Sequence, residues 1–198
     1  MPRKNRPYKR GEPHRDARLF VIACEGKREK AYFEALVKEA LRVKVKVLAP
    51  VDEEDGKSAP NWVFQRAMAY TEEYGLQEDD QLWLVMDVDR WGEDNLRNIA
   101  KECQERKSWN IALSNPCFEL WLILHVASIE NVTSSSCQEM KAEMHQKIPG
   151  GYKTEYFLEH LETAVQRAQA LDSAPGFPLP KGMQTKVYQL ILEIKAFL

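Results

Sequence analysis

Three apolar runs punctuate the first 115 residues, and each stops abruptly at polar residues. Leu19, Phe20, Val21, Ile22, Ala23 and Cys24 run without a polar position and end at Glu25-Gly26. Leu82, Trp83, Leu84, Val85 and Met86 repeat the pattern and end at Asp87-Val88-Asp89. Trp109, Ile111, Ala112 and Leu113 form the third, ending at Ser114-Asn115-Pro116. Short continuous apolar runs of this kind read as strands covered on both faces, as in a parallel sheet. Val43 to Leu48 differs, because valine alternates with lysine; that period of two predicts a half-exposed strand at a sheet edge.

Between the runs the apolar spacing becomes helical. KREKAYFEALVKEALR, residues 27–42, places Tyr32, Phe33, Leu36, Val37, Ala40 and Leu41 on one stripe. A second helix is expected near Asn61 to Tyr74, started by Ser58 or Asn61 and closed by Gly75. A third, near Glu93 to Arg106, has a thin stripe of Leu96, Ile99, Ala100 and Cys103. Ser114-Asn115-Pro116 reads as a cap followed by a first-position proline, opening the helix CFELWLILHVASI. That helix is apolar almost all round and should be buried. Beyond residue 130 the pattern predicts helices alone: about Ser136 to Gln146, Glu155 to Leu171 behind a Thr154 cap, and Met183 to Phe197. The expected division is a basic flexible arm over 1–17, an α/β core over 18–130, and a helical extension over 131–198 packed on that core. Strand–helix alternation implies a mostly parallel sheet flanked by helices.

Charge sharpens this picture. Residues 1–18 hold seven Lys or Arg against two acids, so they carry +5 and the remainder −7 of a net −2. Arg3, Lys4, Arg6, Lys9 and Arg10 form a basic arm on an acidic body, a footprint of nucleic-acid binding that solvated tails also share. Cys24, Cys103, Cys117 and Cys137 make no CxxC pair and no zinc spacing, and read as reduced thiols of a cytoplasmic protein. No apolar stretch reaches the roughly 20 residues of a membrane span, and no secretory signal follows the basic N-terminus.

The chemistry concentrates at strand ends. Asp87 and Asp89 are two apart on an extended segment, so both face one side, roughly 6 to 7 Å apart. Like charges that close call for a proton, an arginine or a cation. Oxygen-only ligands suit Mg²⁺ or Mn²⁺, although a DxD also serves as an ordinary loop start. In a parallel sheet Glu25 lies on the same carboxyl edge, where ligands bind. Glu29, one turn into the next helix, is either a further site acid or a favourable first-turn charge. Glu119 lies in the first turn after the third apolar run and can look into the same edge. His125, about 240° round the helix from Glu119, reads as a hydrogen-bonded core histidine. Lys153 is a candidate phosphate contact.

CEGKREKAYFEAL (24–36), DVDR (87–90), SNPCFELWLILH (114–125) and GYK (151–153) together resemble a known pattern. The chain is similar to the Toprim fold of topoisomerases, primases and several nucleases. Within it the chain resembles the RloB-like proteins, bacterial defence-associated proteins often encoded beside restriction systems or an ABC-type ATPase. The resemblance implies a Toprim-like, Rossmann-like sheet, with Glu25 as general acid/base or metal ligand and Asp87 and Asp89 as metal ligands. It also implies a Mg²⁺-dependent nuclease acting on RNA, tRNA included, or DNA, in anti-phage defence with an ATPase subunit. A homo-oligomer is compatible with it. No GxxxxGK[ST] loop is present, so nucleotide-driven work must come from a partner. The competing reading is a non-catalytic accessory subunit that keeps the fold and binds the ATPase or a nucleic acid.

Overall fold

The computed structural model describes residues 17–50, 60–88, 92–148 and 152–198. Five strands form one sheet in the order β2-β1-β3-β4-β5. The strands are β1 (Arg18–Cys24), β2 (Val43–Leu48), β3 (Gln81–Asp87), β4 (Trp109–Asn115) and β5 (Gln184–Thr185). The first four are parallel, and β5 lies antiparallel on the end of β4. The helices are α1 (Lys27–Leu36), α2 (Pro60–Tyr74), α3 (Glu93–Gln104), α4 (Phe118–Val126), α5 (Cys137–Lys147), α6 (Thr154–Glu159), α7 (Leu161–Leu171) and α8 (Val187–Lys195). This is the α/β architecture that the alternating pattern predicts.

Both faces of the sheet are covered, which explains the unbroken apolar runs. Phe20, Ile22, Cys24, Trp83 and Val85 face α1, α4 and the later helices. Val21, Ala23, Leu82, Leu84 and Met86 face α2 and α3 through Val63, Ala67, Leu96, Ile99, Ala100 and Cys103. The Lys/Val strand β2 is indeed an edge. Helix α4 is buried from Phe118 to His125, and each fully enclosed leucine or isoleucine contributes about 1.5–3 kcal/mol of transfer free energy.

Several boundaries depart from the sequence pattern. Helix α1 stops at Leu36, because residues 37–42 turn back to bring Val43 beside Arg18; Leu41 is consequently 89% exposed. Helix α2 starts at Pro60 rather than at a cap on Asn61, in keeping with proline's preference for a first turn. Pro116 does not open α4: β4 runs through Asn115, the Asn115–Pro116 peptide is cis, and Cys117 is the N-cap. The long helix expected over Glu155 to Leu171 is broken at His160. Phe157 is held among Tyr152, Tyr156 and His125 rings, whereas α7 packs on α4 and α8. The last expected helix begins four residues late, because Gln184 and Thr185 are a strand.

The chain order sets the position of the site. From β1 the chain moves outward to β2 through α1, then returns across the sheet through α2 to β3, on the other side of β1. The carboxyl ends of β1 and β3 therefore flank the point where winding reverses, and a crevice opens there. Glu25 and Asp87 stand at those two ends.

Candidate functional site

Residues after β1 and at the ends of β3 and β4 meet at one rim. The Asp87 backbone N–H donates to Glu25 Oε1 at 2.8 Å. The Phe118 N–H, in the first turn of α4, donates to Asp87 Oδ1 at 2.8 Å. Each carboxylate is thus oriented by a backbone donor from a different element. Val88 N–H, donating to Ser114 O at 2.9 Å, ties the segment beyond β3 to β4.

Glu29 is buried beneath this pair. Gly26 makes room for it: a Cβ there would lie 3.1 Å from Glu29 Oε2. The Gly26 φ is −149°, so the glycine is required for close approach and not for a left-handed backbone. Burial raises the Glu29 carboxyl to about 7, assisted by the charge of Glu119 and opposed by Arg28 and Lys141. Burial also lifts Asp87 well above the usual aspartate range, with Glu25, Glu29 and Glu119 adding to the rise. Glu119 has two cationic neighbours. Arg28 Nη1 lies 2.5 Å from its Oε1, and Lys141 Nζ 3.9 Å.

Four of the acids singled out from sequence, Glu25, Glu29, Asp87 and Glu119, therefore converge. Asp89 lies outside the described residues, as do Arg3, Lys4, Arg6, Lys9 and Arg10. Lys153 is exposed at the start of α6. From the same GYK element it is Tyr152 that reaches the rim, its hydroxyl donating to the Arg28 carbonyl at 3.0 Å. His125 is a core residue: its Nε2 is 3.1 Å from Tyr32 Oη and its Nδ1 2.9 Å from the Trp121 carbonyl.

Two contributions were not visible in the sequence. Arg66 of α2 donates from Nη2 to the Cys24 carbonyl at 2.7 Å, bringing a cation beside Glu25. Cys117 and Cys137, 20 positions apart, come together with Asp87 and Glu119. Neither carried a signal, since Arg66 sits on an ordinary amphipathic helix and the two thiols belong to different helices.

The profile of a family described as RloB-like protein matches residues 20–194. The chain belongs to the RloB-like family. Neither a curated protein nor a solved structure matches it. In this RloB-like protein the match runs from within β1 to within α8 and so includes Glu25, Glu29, Asp87 and Glu119. No described helix is long and apolar enough to cross a membrane.

Proposed function

We propose that this RloB-like protein is a Mg²⁺- or Mn²⁺-dependent phosphodiesterase that cuts nucleic acid in anti-phage defence. The observation that carries the proposal is the convergence of Glu25, Glu29, Asp87 and Glu119 at the winding reversal of a parallel sheet.

The donor set fits a hard divalent cation. Its oxygens are carboxylates, and burial, with the charges of the neighbouring acids adding to it, raises Asp87 and Glu29 in the cation's absence. Glu25 and Asp87 would hold the ion, with Asp89 two residues on. When bound, the ion supplies phosphate polarisation and charge neutralisation at the reacting phosphodiester.

The chain's own groups supply the rest. The backbone donors of Asp87 and Phe118 hold two carboxylates in fixed orientation before any ligand arrives, which lowers the ordering cost of binding. Glu29, raised to about 7, can hold or release a proton at neutral pH, as a general acid or base requires. Arg28, about one-third exposed, presents a guanidinium at the rim that can meet a phosphate oxygen. The basic residues Arg3 to Arg10 would add sequence-independent, salt-dependent affinity. An ATPase subunit is part of the proposal because the RloB-like resemblance implies one, and the sequence has no phosphate-binding loop to do that work itself.

The test is cleavage of a panel of tRNA, single-stranded RNA and duplex DNA with Mn²⁺, by wild type and by Glu25→Gln. Cleavage by the wild type alone supports the proposal. Equal cleavage by both removes Glu25 from the reaction. Binding without cleavage, with and without an ATPase partner, identifies an accessory subunit instead.

A further inference from the structure

Behind the oxygen-lined rim lies a donor set of different chemistry. One ligand atom each from Asp87, Cys117, Glu119 and Cys137 can be chosen so that all four lie within 4.8 Å of one another. Cys117, Glu119 and Cys137 are buried, and Cys137 Sγ is 3.6 Å from Glu119 Oε2. We propose that this cluster is a binding site for a thiophilic divalent cation of the zinc type, distinct from the hard-cation site and sharing Asp87 with it.

Ligand chemistry separates the two sites. Magnesium takes oxygen donors in octahedral geometry, whereas thiolate with carboxylate in a set of four selects zinc or cobalt. A tetrahedral zinc with bonds of about 2.3 Å to sulfur and 2.1 Å to oxygen holds its ligand atoms roughly 3.4 to 3.8 Å apart. The cluster therefore needs to contract by about 1 Å at its widest, which side-chain torsions provide.

The Cys137 hydrogen bond, burial and the Glu119 and Asp87 charges push the Cys117 thiol up, so the thiolates form with the cation and not before it. Cys117 is the N-cap of the nine-residue α4, and Cys137 is the first residue of the eleven-residue α5. The amino ends of both helices thus converge on the sulfurs, and their dipoles favour anionic ligands there. Charge closes as well. Two thiolates and two carboxylates carry four negative charges; the cation supplies two positive ones, Arg28 and Lys141 beside Glu119 supply two more, and a protonated Glu29 adds no charge.

The site also has a structural use. It would tie the amino ends of α4 and α5 to the end of β3, fixing Glu119 relative to Asp87. A structural zinc has this effect in small closed sites.

The experiment is a Co²⁺ titration of the full chain, reduced with a phosphine and stripped with chelator. One equivalent should give a thiolate-to-cobalt charge-transfer band together with the visible bands of tetrahedral cobalt. Zn²⁺ should bleach both, and excess Mg²⁺ should not. The charge-transfer band should be lost in Cys117→Ser combined with Cys137→Ser. Its absence from the wild type, or its survival in that double variant, overturns the proposal. X-ray absorption on the Zn²⁺-loaded wild type needs no variant: two sulfurs in the first shell support the site, and none refutes it. The Mg²⁺ response of the same wild-type sample is read in parallel. A Mg²⁺-induced rise in melting temperature without a cobalt–thiolate band sinks the thiol site alone. The band without the Mg²⁺ response sinks the hard-cation reading alone.

Discussion

The Glu25 side chain accepts the backbone N–H of Asp87 at 2.8 Å, so the end of β1 holds the end of β3 through an acid and not through the sheet ladder. Charge and hydrogen bond can be separated at this position. Glu25→Gln keeps an acceptor and removes the charge; it should retain the wild-type melting temperature within a degree or two and lose about a hundredfold or more in cleavage rate. Glu25→Ala should lose the same activity and also destabilise the fold by about 1–2 kcal/mol, because the Asp87 N–H loses its partner. Thermal melts and initial rates on both variants check this.

Glu29 makes metal-free stability pH-dependent. Its carboxyl is raised from 4.5 to about 7 by burial and by Glu119, against Arg28 and Lys141. The folded state therefore binds more protons than the unfolded state across that window, and stability falls as pH rises from about 4.5 to about 7. Glu29→Gln should flatten this slope and melt higher than wild type above pH 7. Denaturant midpoints in chelator across that range test it; a slope unchanged by the substitution would assign it to another group.

A histidine in the core works in the opposite direction. Burial lowers His125 to about 4, below its ordinary value near 6.5. The unfolded state then binds the extra proton, so stability is lost as pH falls from 6.5 to about 4. Tyr32→Phe removes the hydroxyl that faces Nε2 and should cost about 1 kcal/mol. Urea unfolding at neutral pH reads this directly.

Lys186 and Asp172 form an ion pair whose side chains are each 1% exposed, with Nζ 2.6 Å from both carboxylate oxygens. Tyr188 Oη donates to the same carboxylate at 2.7 Å, and Lys186 Nζ also reaches the Ala174 carbonyl. Lys186→Met should therefore cost about 3–5 kcal/mol by leaving the aspartate buried without its cation. Lys186→Met with Asp172→Asn should recover part of that loss. A double variant as unstable as the sum of its singles would show the pair to be uncoupled.

Strands β1, β3 and β4 and the acids Glu25 and Asp87 were legible for one physical reason: each lies inside, or at the end of, an apolar run that only a two-sided burial explains. The stripe of α3 was legible from its helical spacing, and a helix starting near Ser136 was also expected; Ser136 forms a capping box with Glu139 at the start of α5. What escaped was long-range. Residues 184–185 carry too little pattern to announce a strand, and β5 exists because Ser114 and Thr185 face each other, their hydroxyl oxygens 2.7 Å apart. The burial of Lys186 depends on Asp172, which no local rule connects to it. The His160 break contains no proline or glycine, and it follows from two helices serving different neighbours. Cys117 and Cys137 lacked metal-ligand spacing, because their proximity comes from the packing of α4 against α5.

The strand β5 has a consequence for how this protein is made. Its pairing with β4 places Thr185 beside Ser114, which in turn is level with Asp87. A nascent chain that has not yet exposed residue 185 outside the ribosome lacks the brace along that side of the crevice. Until then that border of the sheet stays open, so the brace beside the rim forms only once residue 185 has emerged.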